Sequence, residues 1–191
     1  MPKIALSLLL LLHILSAAYA ATCNGGTPTS SGGLNAACKK LSNSKFCIKL
    51  LRPYASQFQD NDPHKMGHAA ISATLSRAQA ARAFMIRQIT EPEINSAERA
   101  AIQGCLNKVG SSVDSLKQAA RDFNNMEKAE GDQRAAHKKT VVRKIFSSRM
   151  AQNACYDMLN GAEVDGEVVK EVRQEAEEAA KASVIAQFFV K

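Results

Sequence analysis

The chain has 191 residues, a formal charge of +7, 5 cysteines, no tryptophan and only 5% aromatic residues. Low aromatic content with abundant alanine argues against a β-sandwich and for close-packed helices. The surplus of Lys and Arg draws a chain to acidic surfaces, but nucleic-acid binding calls for aromatics interleaved with the cations, and these are missing.

At the start, Lys3 precedes an apolar core from Ile4 to Leu15, and Ala18-Tyr19-Ala20 forms an A-x-A cleavage site. This pattern predicts a secretory signal peptide over 1–20 and a mature chain from Ala21. The apolar run is shorter than the roughly 20 residues of a membrane span, so it reads as a leader and not an anchor. No later stretch is apolar enough to span a bilayer, and Phe188-Phe189-Val190-Lys191 is no retention signal. The expected location is extracellular, in an oxidising compartment where cysteines persist as disulfides.

An arm with Cys23 and a Gly/Ser/Thr-rich stretch from Asn24 to Gly33 leads into a short helical pair over 34–54, with Cys38 and Cys47 facing one another. We therefore expect an N-terminal arm and hairpin over 21–54 and a four-helix bundle over 55–191, with one domain spanning 34–190. Asp60-Asn61-Asp62-Pro63 is a turn. Ile71, Leu75, Ala78, Ala81, Met85 and Ile89 then recur at helical spacing until Glu91-Pro92 breaks the pattern.

Asn95 and Glu98 form a capping box ahead of Ile102, Cys105, Val109, Val113, Leu116, Ala120 and Phe123. Asp132 is the expected cap of a third helix through Val141, Ile145, Ser148, Cys155 and Leu159, stopped by Asn160-Gly161. The fourth runs through Val169, Val172, Ala176, Ala179, Ser183, Ala186 and Val190. Four long helices with short connections predict an all-α, up-down-up-down bundle. In it the close cysteine pair staples the hairpin, and the distant pair, Cys105 and Cys155, locks the second bundle helix to the third. Cys23 is left over.

Catalysis finds little support. His64 and His68 lie four apart, but no further ligand type completes a metal shell, and they read as a solvated pair. His137 beside Lys138 and Lys139 reads as exposed. There is no G-x-S-x-G, no H-E-x-x-H and no glycine-rich phosphate loop. Glu171 to Glu178 alternates with Lys170, Arg173 and Lys181, as on a salt-bridged outer helix face. Lys138, Lys139, Arg143, Lys144 and Arg149 would cover one broad side of a helix, either simply solvated or docked onto a polyanionic polysaccharide or an acidic enzyme. The reading is a binding protein with no cofactor and no metal.

Three pieces of this sequence carry a family likeness: the C-x8-C hairpin from Cys38 to Cys47, Ala101-Ile102-Gln103-Gly104-Cys105 followed by Ser112-Val113-Asp114-Ser115-Leu116, and Ala154-Cys155-Tyr156-Asp157. With the leader and the helix count, the chain resembles the plant pectin methylesterase inhibitor and invertase inhibitor family. The resemblance implies bridges Cys38–Cys47 and Cys105–Cys155, and stoichiometric occlusion of the cleft of a cell-wall carbohydrate-active enzyme in the apoplast. Pectin methylesterase is the first target and acid invertase the alternative. A non-inhibitory pectin-binding or signalling bundle is the reading from a different class.

The resemblance also implies a contact face on the second and third bundle helices, with Asn107, Asp114 and Asp157 at matching positions. The chain departs from the family pattern at Ala154, where Thr is usual, and at Val109, where Tyr is common. Phe146-Ser147-Ser148-Arg149 stands in place of an S-A-A stretch. The Pro-Lys-Phe tripeptide of the invertase branch is absent, since Ser44-Lys45-Phe46 is not its equivalent.

Overall fold

The computed structural model describes residues 31–162 and 164–191; the expected leader and Cys23 lie outside them. In chain order come α1 (Ser31–Cys38), α2 (Ser44–Leu51), a 3-10 segment (Arg52–Phe58), α3 (Pro63–Gln88), α4 (Ser96–Lys128), α5 (Gly131–Gly161) and α6 (Glu167–Val190). Among the described residues there is no strand. Helix α4 packs on α3 and α5, and α6 closes the ring against α5 and α3, with little contact across the α4–α6 diagonal. This is the up-down-up-down bundle that the periodicity predicts, with α1, α2 and the 3-10 segment as a hairpin laid against α3 and α6.

Local chemistry sets the helix starts. The Asp62 carboxylate accepts from the backbone N–H groups of His64 (2.8 Å) and Lys65 (3.4 Å), and Pro63 occupies the first helical position. The turn before it places Asn61 at φ 51°, a left-handed conformation that Asn tolerates. The capping box at α4 forms as expected: Asn95 Oδ1 accepts from Ala97 and Glu98, and Glu98 accepts from the Asn95 N–H. At α5 the expected cap is displaced. Glu130 is the N-cap, without a side-chain hydrogen bond, and Asp132 lies in the first turn. There the carboxylate faces the positive end of the helix without bonding its N–H groups.

Two disulfides, Cys38–Cys47 and Cys105–Cys155, tie α1 to α2 and α4 to α5. All four cysteines are fully buried. In the chain-entropy view, closing the 50-residue separation contributes about 4 kcal/mol, and the short hairpin loop about 3. Alanines line the inner faces, including Ala69, Ala73, Ala78, Ala119, Ala176, Ala179 and Ala186, and let the helices approach closely. Gly67 marks a tight spot, because a Cβ there would lie 2.6 Å from the Phe123 ring.

The apolar core is divided in two. One cluster joins the hairpin (Leu34, Leu51, Phe58) to Ile71, Leu116, Phe123, Ile145 and Ile185. The other joins Met85, Ile102, Cys105, Val109, Cys155, Leu159 and Val172. Between them lies a buried polar layer. Gln152 Nε2 donates to Ser112 Oγ (2.7 Å), Ser183 Oγ donates to Gln152 Oε1 (2.9 Å), and Ser112 and Ser148 share a hydrogen bond of 2.8 Å. Thr74 Oγ1 donates to the carbonyls of Ala70 and Ala182 nearby. Periodicity put Ser148 and Ser183 on inner stripes; it did not mark Ser112 or Gln152.

The acidic stretch of α6 is not wholly an outer face. Glu177 pairs with Lys181 on the same helix (2.7 Å), but Glu175 and Glu178 reach across to Arg77 of α3 at 2.6 and 2.9 Å. Burial by itself pushes the Glu178 carboxyl up; the Arg77 charge and hydrogen bond outweigh it and hold the group below the usual glutamate range. Burial likewise opposes the Arg77 charge, and the hydrogen bond and field of Glu175, then Glu178, more than restore it.

Candidate functional site: the outer face of two joined helices

Helices α4 and α5 run antiparallel in constant register. Cys105 meets Cys155, and Ser112 meets Ser148, seven residues on along α4 and seven back along α5. Along their outer seam Met158 closes over Gly104, Lys144 donates to Gln118, and His137 lies 3.8 Å from Asp122. The pair is thus pinned by a covalent bond, a buried polar layer and a polar seam.

Asn107 and Asp114 are exposed on α4, seven residues apart and so on one side. At about 100° per residue they point roughly 180–200° away from the buried Cys105, directly outward. Asp114 has Lys117 at 3.9 Å, and the Asn107 carbonyl accepts from Ser111. Asp157 is exposed on α5 and makes no side-chain hydrogen bond or ion pair among the described residues. By the register it stands level with Gln103, about 16 Å along the bundle from Asp114. The three residues therefore share a broad outward surface but no single point. Such spacing suits a protein partner and cannot enclose a small molecule.

The other expected positions divide. Ala154 is half-buried on the flank of α5 that turns toward α4, while Val109 is fully buried. Val109, where the resemblance leads one to expect Tyr, therefore belongs to the core and not to the outward surface of Asn107 and Asp114. The basic cluster does not share one side of α5. Lys144 reaches Gln118 on α4, Arg149 reaches Gln187 on α6 (3.5 Å), and Lys138 reaches the Lys191 carbonyl (2.5 Å). Phe146 and Met150, 42% and 48% exposed, are prominent on this helix. Periodicity gave no warning, because both fall on the solvent side where polar residues are expected.

The histidines separate as well. His68 is exposed, but the His64 ring stacks on Phe123 at 4.7 Å, with Glu127 3.9 Å from its Nδ1. Among the described residues no group of three or more His, Cys, Asp or Glu is placed to hold a metal, and no helix is long and apolar enough to cross a membrane. A cavity of about 390 Å³ at one bundle end is lined by His64, Phe123, Lys138 and Phe189. A groove of about 520 Å³ between hairpin and bundle is lined by Phe46, Tyr54, Arg77 and Glu178. Neither includes Asn107, Asp114 or Asp157.

Residues 33–187, hairpin and bundle together, match the family described as plant invertase/pectin methylesterase inhibitor. Among curated relatives, the 21 kDa protein of Daucus carota is 28% identical over 163 residues, covering 85% of this chain and 80% of its own length. Pectinesterase inhibitor 11 of Arabidopsis thaliana is 26% identical over 172 residues, covering 86% and 84%. A crystal structure of a mutant form of a pectin methylesterase inhibitor from Arabidopsis superposes with a TM-score of 0.61 over 80% of this chain and 91% of that one. At 15% identity it speaks to the fold. The family match over most of the chain, on a bundle with these two disulfides, means that the chain belongs to the plant invertase/pectin methylesterase inhibitor family.

Proposed function

We propose that this chain is a secreted inhibitor of pectin methylesterase, released at Ala21 into the apoplast and acting by covering the enzyme's cleft. The inhibitory unit is the single domain over 34–190. The observation that carries the reading is the family match across the whole bundle, including both disulfides. Two helices locked by Cys105–Cys155 present Asn107, Asp114 and Asp157 in a preorganised array, so little conformational freedom is lost on docking.

The test is titration of the oxidised chain against purified pectin methylesterase and, separately, acid invertase. Stoichiometric loss of esterase activity at or below micromolar inhibitor is expected. Invertase inhibition alone reassigns the target, and inhibition of neither removes the reading.

A second reading rests on Ala154, which lacks the hydroxyl expected on the contact flank. It makes the chain a pectin-binding or signalling bundle without inhibitory activity. Retention on de-esterified pectin that vanishes in high salt, with no enzyme inhibited, would favour it.

A further inference from the structure

The hairpin carries Lys39, Lys40, Lys45, Lys49 and Arg52, all exposed, and no Asp or Glu from residue 31 to residue 59. Among the described residues none of the five has an ion-pair partner. Lys45, Lys49 and Arg52 are four and three apart, so they form one stripe along α2, about 10 Å long and turned away from the buried Cys47. Helix stability does not account for this row. Lys49 and Arg52 suit the negative end of α2, but Lys45 stands in its first turn, at the positive end, and Lys45 and Lys49 repel one another at i, i+4. One position on, Phe46, Leu50 and Pro53 repeat at the same spacing and, with Lys49 and Tyr54, line the groove of about 520 Å³ between hairpin and bundle. The acids on its far wall, Glu175 and Glu178, are held by Arg77 at 2.6 and 2.9 Å, and Lys49 adds to the positive field on Glu178. Elsewhere on α6, Glu177 is paired with Lys181, and Glu171 lies a turn further along from Glu175.

We propose that this face of the hairpin binds an unbranched polyuronate, a polysaccharide bearing a carboxylate on each sugar. A row of unpaired cations matches a repeating anion, whereas a single anionic group would engage only part of it. Sugar rings have apolar faces bordered by hydroxyls, and the adjoining groove offers the complement. Phe46 and Tyr54 present ring surface, while Arg77 and its two carboxylates present donors and acceptors. An acidic protein or an anionic bilayer is the poorer occupant, because both draw affinity from exposed apolar side chains at the centre of contact. The described large apolar side chains that are exposed, Ile86, Phe146, Met150, Val184 and Phe188, all lie outside the hairpin. The hairpin is laid against α3 and α6, across the ring from the α4–α5 pair, so the polysaccharide leaves Asn107 and Asp114 free for a protein. The site stands whether or not the chain inhibits an enzyme. Combined with the inhibitor reading, it places the chain where ester hydrolysis has uncovered carboxylates.

The experiment measures equilibrium binding of the oxidised chain to polygalacturonate, to its fully methyl-esterified form, to a single-stranded oligonucleotide and to phosphatidylserine-containing vesicles. Thermal unfolding checks that each variant is folded. The wild type is expected to bind polygalacturonate, to bind the esterified polymer at least roughly 10-fold more weakly, and to lose affinity as salt rises. Lys45→Gln with Lys49→Gln and Arg52→Gln should weaken binding at least roughly 10-fold and flatten its salt dependence. The charge-matched Lys128→Gln with Lys139→Gln and Arg143→Gln should stay within about twofold. Tyr54→Leu, which keeps an apolar side chain in the groove, should weaken binding several-fold without changing the salt dependence. A wild type that does not bind polygalacturonate, or a stripe variant that binds it as tightly as the wild type, overturns the inference. Tighter binding to the vesicles or the oligonucleotide assigns the face to that partner and overturns it too. The stripe variant is expected to inhibit as the wild type does, so failure of this inference and failure of the inhibitor reading are read separately.

Discussion

Gln152 is the residue on which the buried polar layer turns. Its amide donates to Ser112 and accepts from Ser183, linking α4, α5 and α6 through one fully buried side chain. Truncation leaves both serines short of a partner in a site without exposure, and stranded buried polar groups cost about 1–3 kcal/mol. Gln152→Ala is therefore expected to lower stability in urea denaturation by about that range or more, since a cavity term adds to it. A variant replacing Gln152, Ser112 and Ser183 together with apolar residues should lose less than the separate costs suggest. Gly67 shows the same dependence on neighbours. Ala is the better helix former by about 1 kcal/mol, but here its methyl would meet the buried Phe123 ring that stacks under His64.

Among the elements, α3 and α6 are held by an ion cluster that responds to acid. A carboxyl whose folded value lies below its unfolded one stabilises the fold above the unfolded value, and that contribution disappears as pH falls through the folded value. Glu178 is depressed in this way by Arg77, so its contribution is intact at neutral and mildly acidic pH and fades below about pH 4. Arg77, held above its ordinary value, stays charged across that window. Arg77→Met should flatten the acid limb of a stability–pH curve and, by stranding two partly buried carboxylates, cost about 2 kcal/mol near neutrality. Equal acid sensitivity in the variant would show that other carboxyls govern the response.

At the scale of the molecule, the proposed action requires α4 and α5 to keep one register under load. Cys105→Ala with Cys155→Ala removes about 4 kcal/mol of chain constraint. The polar layer still specifies the antiparallel pairing, so the expected product is a folded bundle with a lower Tm and weaker inhibition. Removal of Cys38–Cys47 costs about 3 kcal/mol and should leave inhibition nearer the wild-type value, because that bridge serves the hairpin. Paired measurements of Tm and inhibition constant separate the two bridges. If both variants lose the same affinity, register is not what the long bridge protects.

Much of this architecture was legible from residue order. Helical spacing of apolar residues, the Asn95–Glu98 box and the stops at Pro92 and Gly161 depend on contacts within a few residues, so local sequence determined the four long helices and their antiparallel order. The family likeness carried the cysteine pairing. What pairs across helices was decided only in three dimensions. Glu175 and Glu178 belong to a charged outer stripe by spacing, yet they turn toward Arg77, about a hundred residues away. Lys144 and Arg149 leave α5 on two flanks by their spacing along the helix, and only the packing shows that their partners, Gln118 and Gln187, stand on different neighbours. Phe146 and Met150 fall on solvent-side positions, and only the assembled bundle shows that no described element covers them. A one-dimensional pattern encodes which way a side chain leaves its own helix; what it meets there depends on helix rotation and register, which the packing of the whole bundle sets.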